Sequence, residues 1–349
     1  MLPMVTKACA YLAAFCSCGR KGTTRRMQTY LKSKPVGIQF LLFVGIAAGI
    51  MMVISLIGSV VLSKITGVSL LQLVDPKSWK PSDGNTLALL RGMLLLQFLG
   101  LFLIPSLLYA YFADPQPAQY LGMRPPHNRL YWLLSIAALL LSVPLVEYTG
   151  YLNKNIPLPA GIRGWMQGME EQAGQTIQYM LGGSSISNLI LNLIFIALFA
   201  GVGEEILFRG VIQRFAIQAT RSPWAGIIIA ASLFSFFHLQ FFGFVPRFLL
   251  GIVLGIIYWY SGSIWPAVLA HFVYDAFFVV LVYFNPALIA DADASLVAPN
   301  SLPLLAVLSA AAVSALVWAM MRLSKTTYAH MMGDNAPTPN WENNPEAWR

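Results

Sequence analysis

The sequence predicts an all-α fold, a polytopic bundle of about eight transmembrane helices. Two observations carry that reading. Apolar residues make up 57% of the 349 positions and charged residues only 10%, with a mean hydropathy of +0.66, against roughly a quarter charged in an ordinary soluble domain. The apolar residues also fall in long continuous runs, not in the short alternating segments a membrane barrel needs. Lipid accepts only helices and closed barrels, because every backbone polar group must be satisfied internally. The composition excludes a soluble globular enzyme, a disordered chain and a nucleic-acid binder with a broad basic face. The net charge of +8 reads instead as orientation charge on cytoplasmic segments.

Residues 1–35 form a basic cytoplasmic tail holding Lys7, Arg20, Lys21, Arg25, Arg26, Lys32 and Lys34 and no acid. The apolar stretch 8–15 is short for a signal peptide, and Phe15 before Cys16 argues against a lipoprotein. Met27 is a second candidate initiator. The three cysteines, Cys9, Cys16 and Cys18, all lie in this tail, so no disulfide framework or cysteine metal site supports the body.

A membrane-crossing helix needs about 20 apolar residues. The runs at 36–62, 87–112, 130–146, 186–215, 224–241, 248–260, 264–284 and 302–321 are the candidates. The fourth is overlong and the sixth short. Between the third and fourth, 147–185 reads as a loop with a surface helix around 165–180. Trp79, Trp132, Trp165, Trp224 and Trp265 near span ends suit interfacial anchoring. Residues 323–349 are polar, with Pro and Asn, and read as a loose tail. The transmembrane domain is thus 36–322, with a core about 186–285. Eight spans put both ends on one side. Placing them in the cytoplasm leaves only Lys64, Lys77, Lys80, Arg91, Lys154, Arg163 and Arg247 outside, the arrangement the positive-inside rule favours. The compact layout suits the plasma membrane of a prokaryote.

Ionisable residues within membrane helices are rare and usually functional, each costing roughly 2.5–3.5 kcal/mol at the centre on insertion scales. Here they concentrate in three runs: Glu204, Glu205 and Arg209; His238; and His271 with Asp275. Glu205 and Arg209 are i,i+4 and share a helix face, while Glu204 points about 100° away. His271 and Asp275 are also i,i+4, and Phe234 lies one turn before His238. An ion-paired seam would explain one such pair. It does not explain two adjacent carboxylates, two histidines and an aspartate on three helices.

The set Glu204-Glu205-x-x-x-Arg209, Phe234-x-x-x-His238 and His271-x-x-x-Asp275 resembles the motifs of the CAAX prenyl endopeptidase and bacteriocin-processing (CPBP, or Abi) family of intramembrane proteases. Trp265-Pro266 before the third motif also fits. The resemblance covers roughly residues 186–285. It implies an endopeptidase in which Glu204, assisted by His238, activates a water, Glu205 and Arg209 orient the site, and His271 with Asp275 stabilises the oxyanion. Asn and Asp both occur at the position of Asp275. Only a protonated Asp donates a hydrogen bond, so Asp275 supports the oxyanion as a donor, orients His271, or ligates a metal. Glu204, His238, His271 and Asp275 are candidate ligands for Zn²⁺ or another divalent ion, and a metal-free glutamate mechanism fits them equally. No H-E-x-x-H motif is present. The partners implied are membrane lipids and a peptide or lipidated-protein substrate, with no nucleic acid.

Other readings use the same residues less completely. A proton-coupled transporter also places carboxylates and histidines at mid-membrane, but the chain lacks the internal repeat such proteins often carry. Gly201-Val-Gly-Glu204 with Tyr274-Asp275 superficially resembles an intramembrane aspartyl protease, in reversed order. Ser261-Gly262-Ser263 would have to supply a serine nucleophile from a short turn.

Overall fold

The computed structural model describes residues 30–73, 84–290 and 296–332, and among these every regular element is helical. Nine helices organise them: α1 Val36–Thr66, α2 Gly84–Ala113, α3 Leu130–Lys154, α4 Ala160–Leu181, α5 Ile186–Thr220, α6 Pro223–Phe237, α7 Phe241–Ser261, α8 Trp265–Phe284 and α9 Leu302–Leu323. Seven are long and apolar enough to cross a membrane; α4 is not among them, and α6, though apolar, is shorter. The protein is an all-α, polytopic integral membrane bundle. The three cysteines, Met27 and the tail beyond 332 lie outside the described residues.

Local sequence explains where the helices bend and stop. The outward face of α1 carries exposed Leu41, Met52, Leu56 and Ile57, as a lipid-facing helix should. Helix α2 widens into a π-helical stretch at Phe98–Leu103 just before Pro105. Proline lacks an N–H and crowds the preceding turn, and a π-bulge is one way a helix absorbs that. Helix α3 breaks at Ser142, ahead of Pro144, then resumes to Lys154. The third span is therefore longer than 130–146, and Glu147 sits inside a helix. The former loop 147–185 is largely helical, with α4 extending beyond 165–180 at its start.

The fifth and sixth spans exchange lengths relative to expectation. Helix α6 has 15 residues. It opens on Pro223, with the Ser222 hydroxyl accepting the Ala225 N–H at 3.3 Å. It ends where Leu239 takes a left-handed conformation, φ 54°. The apolar residues from Phe241 onward consequently belong to α7, which has span length. Helices α6 and α7 then pack closely: a Cβ on Gly251 would lie 3.0 Å from the Ala231 Cα.

Hydrogen bonds sort the helix ends onto two faces. On one, Lys32 pairs with Asp114 at 3.2 Å. There the His127 ring meets the Ser261 carbonyl oxygen at 3.0 Å and that of Leu323 at 3.3 Å. At the other face, Asn153 Nδ2 donates to the Phe241 carbonyl at 2.6 Å, and the Leu296 N–H donates to Glu147 at 2.8 Å. The entry to α1 and the exit from α9 thus share a face. Because α7 begins beside the end of α3 and ends beside its start, α6 traverses the same depth despite its length. Residues 324–332 are not loose. Ser324 Oγ donates to the Tyr260 carbonyl at 2.8 Å, Arg214 donates to the Met331 carbonyl, and Tyr328, Met331 and Met332 are buried. Arg91, expected outside, is buried in α2 and donates to Asn192 at 3.0 Å.

Candidate active site

The glutamate pair lies in the α-helical segment Phe199–Leu207 of α5, between π-helical stretches at Leu193–Leu198 and Phe208–Gln213. Such bulges often mark functional sites. Gly201 brings α8 against this segment: a Cβ there would sit 3.0 Å from the Phe272 backbone nitrogen, the close approach small residues permit in membranes. The Gly-Val-Gly before Glu204 is therefore packing geometry.

Glu205 and Arg209 are the most buried charges of the site, at 0% and 1% side-chain exposure. Arg209 donates to Glu205 Oε1 at 2.6 Å and to the Gly251 carbonyl at 3.2 Å, and its guanidinium lies 4.8 Å from the Phe234 ring centroid. His271 Nδ1 donates to the same Glu205 oxygen at 2.8 Å. One carboxylate thereby ties α5 to α8, and its arginine ties α5 to α7. Breaking a buried pair of this kind by removing one partner costs about 3–5 kcal/mol.

Glu204 faces away from that pair, as the helix phase requires. Its Oε2 has no hydrogen-bond partner among the described residues and lies 4.0 Å from His238 Nε2. His238 Nδ1 is 2.7 Å from the Phe234 carbonyl oxygen. A carbonyl only accepts, so Nδ1 carries the proton, and in the neutral ring Nε2 presents a lone pair toward Glu204. The 4.0 Å gap exceeds a hydrogen bond and suits a shared water. Phe234 stands edge-on to both imidazoles, with ring centroids 5.0 Å from His238 and 6.0 Å from His271. His271 Nε2 is 3.5 Å from Asp275 Oδ2.

Reaching one glutamate pair from unequal helices needs unequal starting depths. His238 follows the start of α6 by 15 residues, about 22 Å along a helix, whereas His271 is only six residues into α8, about 9 Å. Helix α8 therefore begins deeper in the bundle, and residues 122–124 and 326–330 pack at its start: Ser263 Oγ donates to the Arg124 carbonyl, the Ile264 N–H to that of Gly122, and a Cβ on Gly262 would lie 3.1 Å from Thr326 Oγ1.

Glu204, His238, His271, Asp275 and Phe234 line one cavity of about 570 Å³. Glu205 and Arg209 stand behind its wall. The remaining wall is largely apolar and includes Phe98 and Phe102 of α2, Ile177 and Met180 of α4, and Phe195 and Phe199 of α5. The wall also holds polar residues that the sequence reading did not place in the site, among them Gln97, Thr176, Gln240 and Arg247. Arg247 passed as a loop charge because it follows Gly243 and Pro246 at the edge of an apolar run.

No group of three His, Cys, Asp or Glu among the described residues is arranged to hold a metal ion. His238 and His271 each commit Nδ1 to a protein acceptor, which leaves Nε2 of both rings facing the cavity carboxylates. The serine alternative lacks a place: Ser261 and Ser263 are buried, bonded to backbone carbonyls and outside the cavity wall.

A helical membrane bundle carrying a glutamate–histidine cavity is the class these features define. Residues 186–277 match the family model described as type II CAAX prenyl endopeptidase Rce1-like. The likeness carried by the three motifs is borne out over this segment, which is similar to the type II CAAX prenyl endopeptidases. The chain is also 30% identical over 96 residues to the uncharacterized protein YpbD of Bacillus subtilis (strain 168), a match covering 28% of this chain and 48% of that protein. The chain thus spans about half the length of the curated relative it matches. No solved structure matches it.

Proposed function

We propose that this protein is an integral-membrane endopeptidase of the CAAX-protease type, hydrolysing peptide bonds with a water activated at Glu204. The observation that carries the reading is the open Glu204 Oε2 facing the His238 Nε2 lone pair at 4.0 Å inside the cavity. A water between them is held by two acceptors, as a nucleophile about to lose a proton should be. Its oxygen attacks the peptide carbonyl carbon while Glu204 takes the proton. The oxyanion forms on the side of His271 and Asp275, where a donor stabilises it. Collapse breaks the C–N bond, and Glu204 returns its proton to the leaving nitrogen. Arg209 and Glu205 hold His271 in place without touching substrate. The substrate is a peptide or lipidated protein that enters a largely apolar cavity.

The test is cleavage of membrane proteins and peptides by the purified protein in detergent micelles, beside Glu204→Gln. That change keeps size and removes the base, so turnover should fall by roughly 10²–10⁴-fold. Undiminished cleavage by Glu204→Gln would defeat the assignment. Glu204-dependent proton flux in liposomes, without proteolysis, would favour the transporter.

A further inference from the structure

Gln97 is a polar side chain of the cavity wall that the proposed chemistry leaves unused. It ends the α-helical segment Gly84–Gln97 of α2, inside a membrane span and immediately before the π-helical stretch Phe98–Leu103. Its side chain is exposed and forms no hydrogen bond among the described residues. Other neutral polar groups of the wall are committed to the protein. Gln240 Oε1 accepts from Arg247 at 2.5 Å, and Thr176 donates to the Gln172 carbonyl at 3.0 Å.

The packing of α2 on α5 fixes the depth of Gln97. Its neighbour Phe98 stacks on Phe199, ring centroids 4.4 Å apart, and a Cβ on Gly203 would lie 2.9 Å from the Phe98 ring. Gln97 therefore stands at the level of the α5 turn that leads to Glu204. Glu204 follows Phe199 by five residues, about 7.5 Å along a helix. An extended peptide advances about 3.3 Å per residue. A peptide whose scissile carbonyl meets the Glu204 water thus reaches the level of Gln97 about two residues away.

A carboxamide both donates and accepts. An acyl chain offers it neither group, and a lipid phosphate only accepts. In an extended peptide the N–H and C=O of one residue point to the same side, and a carboxamide matches that pair. An apolar wall leaves those two groups unsatisfied, at a cost a polar partner removes. We infer that Gln97 binds the substrate backbone, with Oε1 accepting the N–H and Nε2 donating to the C=O of one residue about two positions from the scissile bond. This rests on the endopeptidase reading above.

The probe is a library of short fluorescein-labelled apolar peptides. The best-cleaved member is remade as a series in which each peptide group except the scissile one becomes an ester, which removes its N–H and weakens its carbonyl as an acceptor. With wild-type protein in detergent micelles, esters at one residue near the scissile bond should lower kcat/KM by roughly 3- to 10-fold, the range of one neutral hydrogen bond. Gln97→Leu keeps the volume. It should cleave the parent peptide less well by the same factor, through KM, and those esters should cost it nothing further. Esters elsewhere should cost it what they cost wild type. Gln97→Asn, an amide one methylene shorter, should keep part of the sensitivity. An ester profile in Gln97→Leu that matches that of wild type overturns the proposal, whatever happens to overall activity; if the melting temperature also falls, Gln97 is a structural amide of α2. Cleavage with such a matching profile defeats the proposal alone and leaves the endopeptidase reading standing. If wild type cleaves no member of the library, that reading fails and the proposal falls with it.

Discussion

Asp275 and Glu205 show how differently two carboxylates of one site are used. Glu205 has Arg209 and His271 on a single oxygen and is fully buried. Asp275 keeps about a quarter of its side chain exposed to the cavity and only a 3.5 Å contact to His271. Glu205→Ala would strand a buried arginine, so the variant should lose about 3–5 kcal/mol of stability, read as a lower melting temperature in detergent. Asp275→Asn should retain most activity, because an amide both donates to an oxyanion and orients an imidazole. Full loss of activity in Asp275→Asn, restored by added Zn²⁺, would show that a metal mechanism had been missed. The motif residues were legible because charges inside apolar runs stand out. Arg247 was not, because a charge beside Gly and Pro at the edge of such a run looks like any loop residue; only the turn at Leu239 carries it inward.

That turn is also where reading whole elements from sequence fails. Between Trp224 and Tyr260 the chain is nearly unbroken apolar sequence, and the left-handed residue that divides it is a leucine, φ 54°, with no glycine or proline to announce it. The π-helical stretches of α5 are equally silent, since they arise from tertiary fit. What composition does specify is the number of apolar runs, and each of the eight has become a helix. Close contacts between elements supply the test. At Gly201 the obstacle to a side chain is the backbone of α8 itself, 3.0 Å away, whereas at Gly203 it is the rings of Phe98 and Phe102 at 2.9 Å, which can rotate. Gly201→Val should push α8 off α5, separate His271 from Glu205 and abolish activity. Gly203→Ala should cost far less. Equal activity of the two variants, at equal melting temperatures, would show that the α5–α8 contact does not set the site.

At the scale of the whole molecule, the shared face of α1's start and α9's end turns the charge distribution into a statement about orientation. Lys32, Lys34, Arg124, Arg322 and Lys325 cluster with the segments joined through Asp114, His127, Ser261 and Leu323. Two of the seven basic residues first assigned to the outside, Arg91 and Arg247, are inside the bundle and leave that count, as Arg209 and Arg214 leave the cytoplasmic one. The asymmetry is therefore steeper than sequence counting made it, and it holds for the described residues without the basic tail before 30. Cytoplasmic retention of Lys and Arg loops sets the orientation of helical membrane proteins, so this face should be cytoplasmic. Fusions of alkaline phosphatase and of a fluorescent protein after Arg349 should give an inactive phosphatase and a fluorescent cell, and insertion of the same phosphatase between Lys154 and Ala160 should give an active one. The opposite pattern would invert the molecule in the membrane. It would also place residues 326–330, which pack at the start of α8, on the outer side, and substrate would then reach the cavity from the other leaflet.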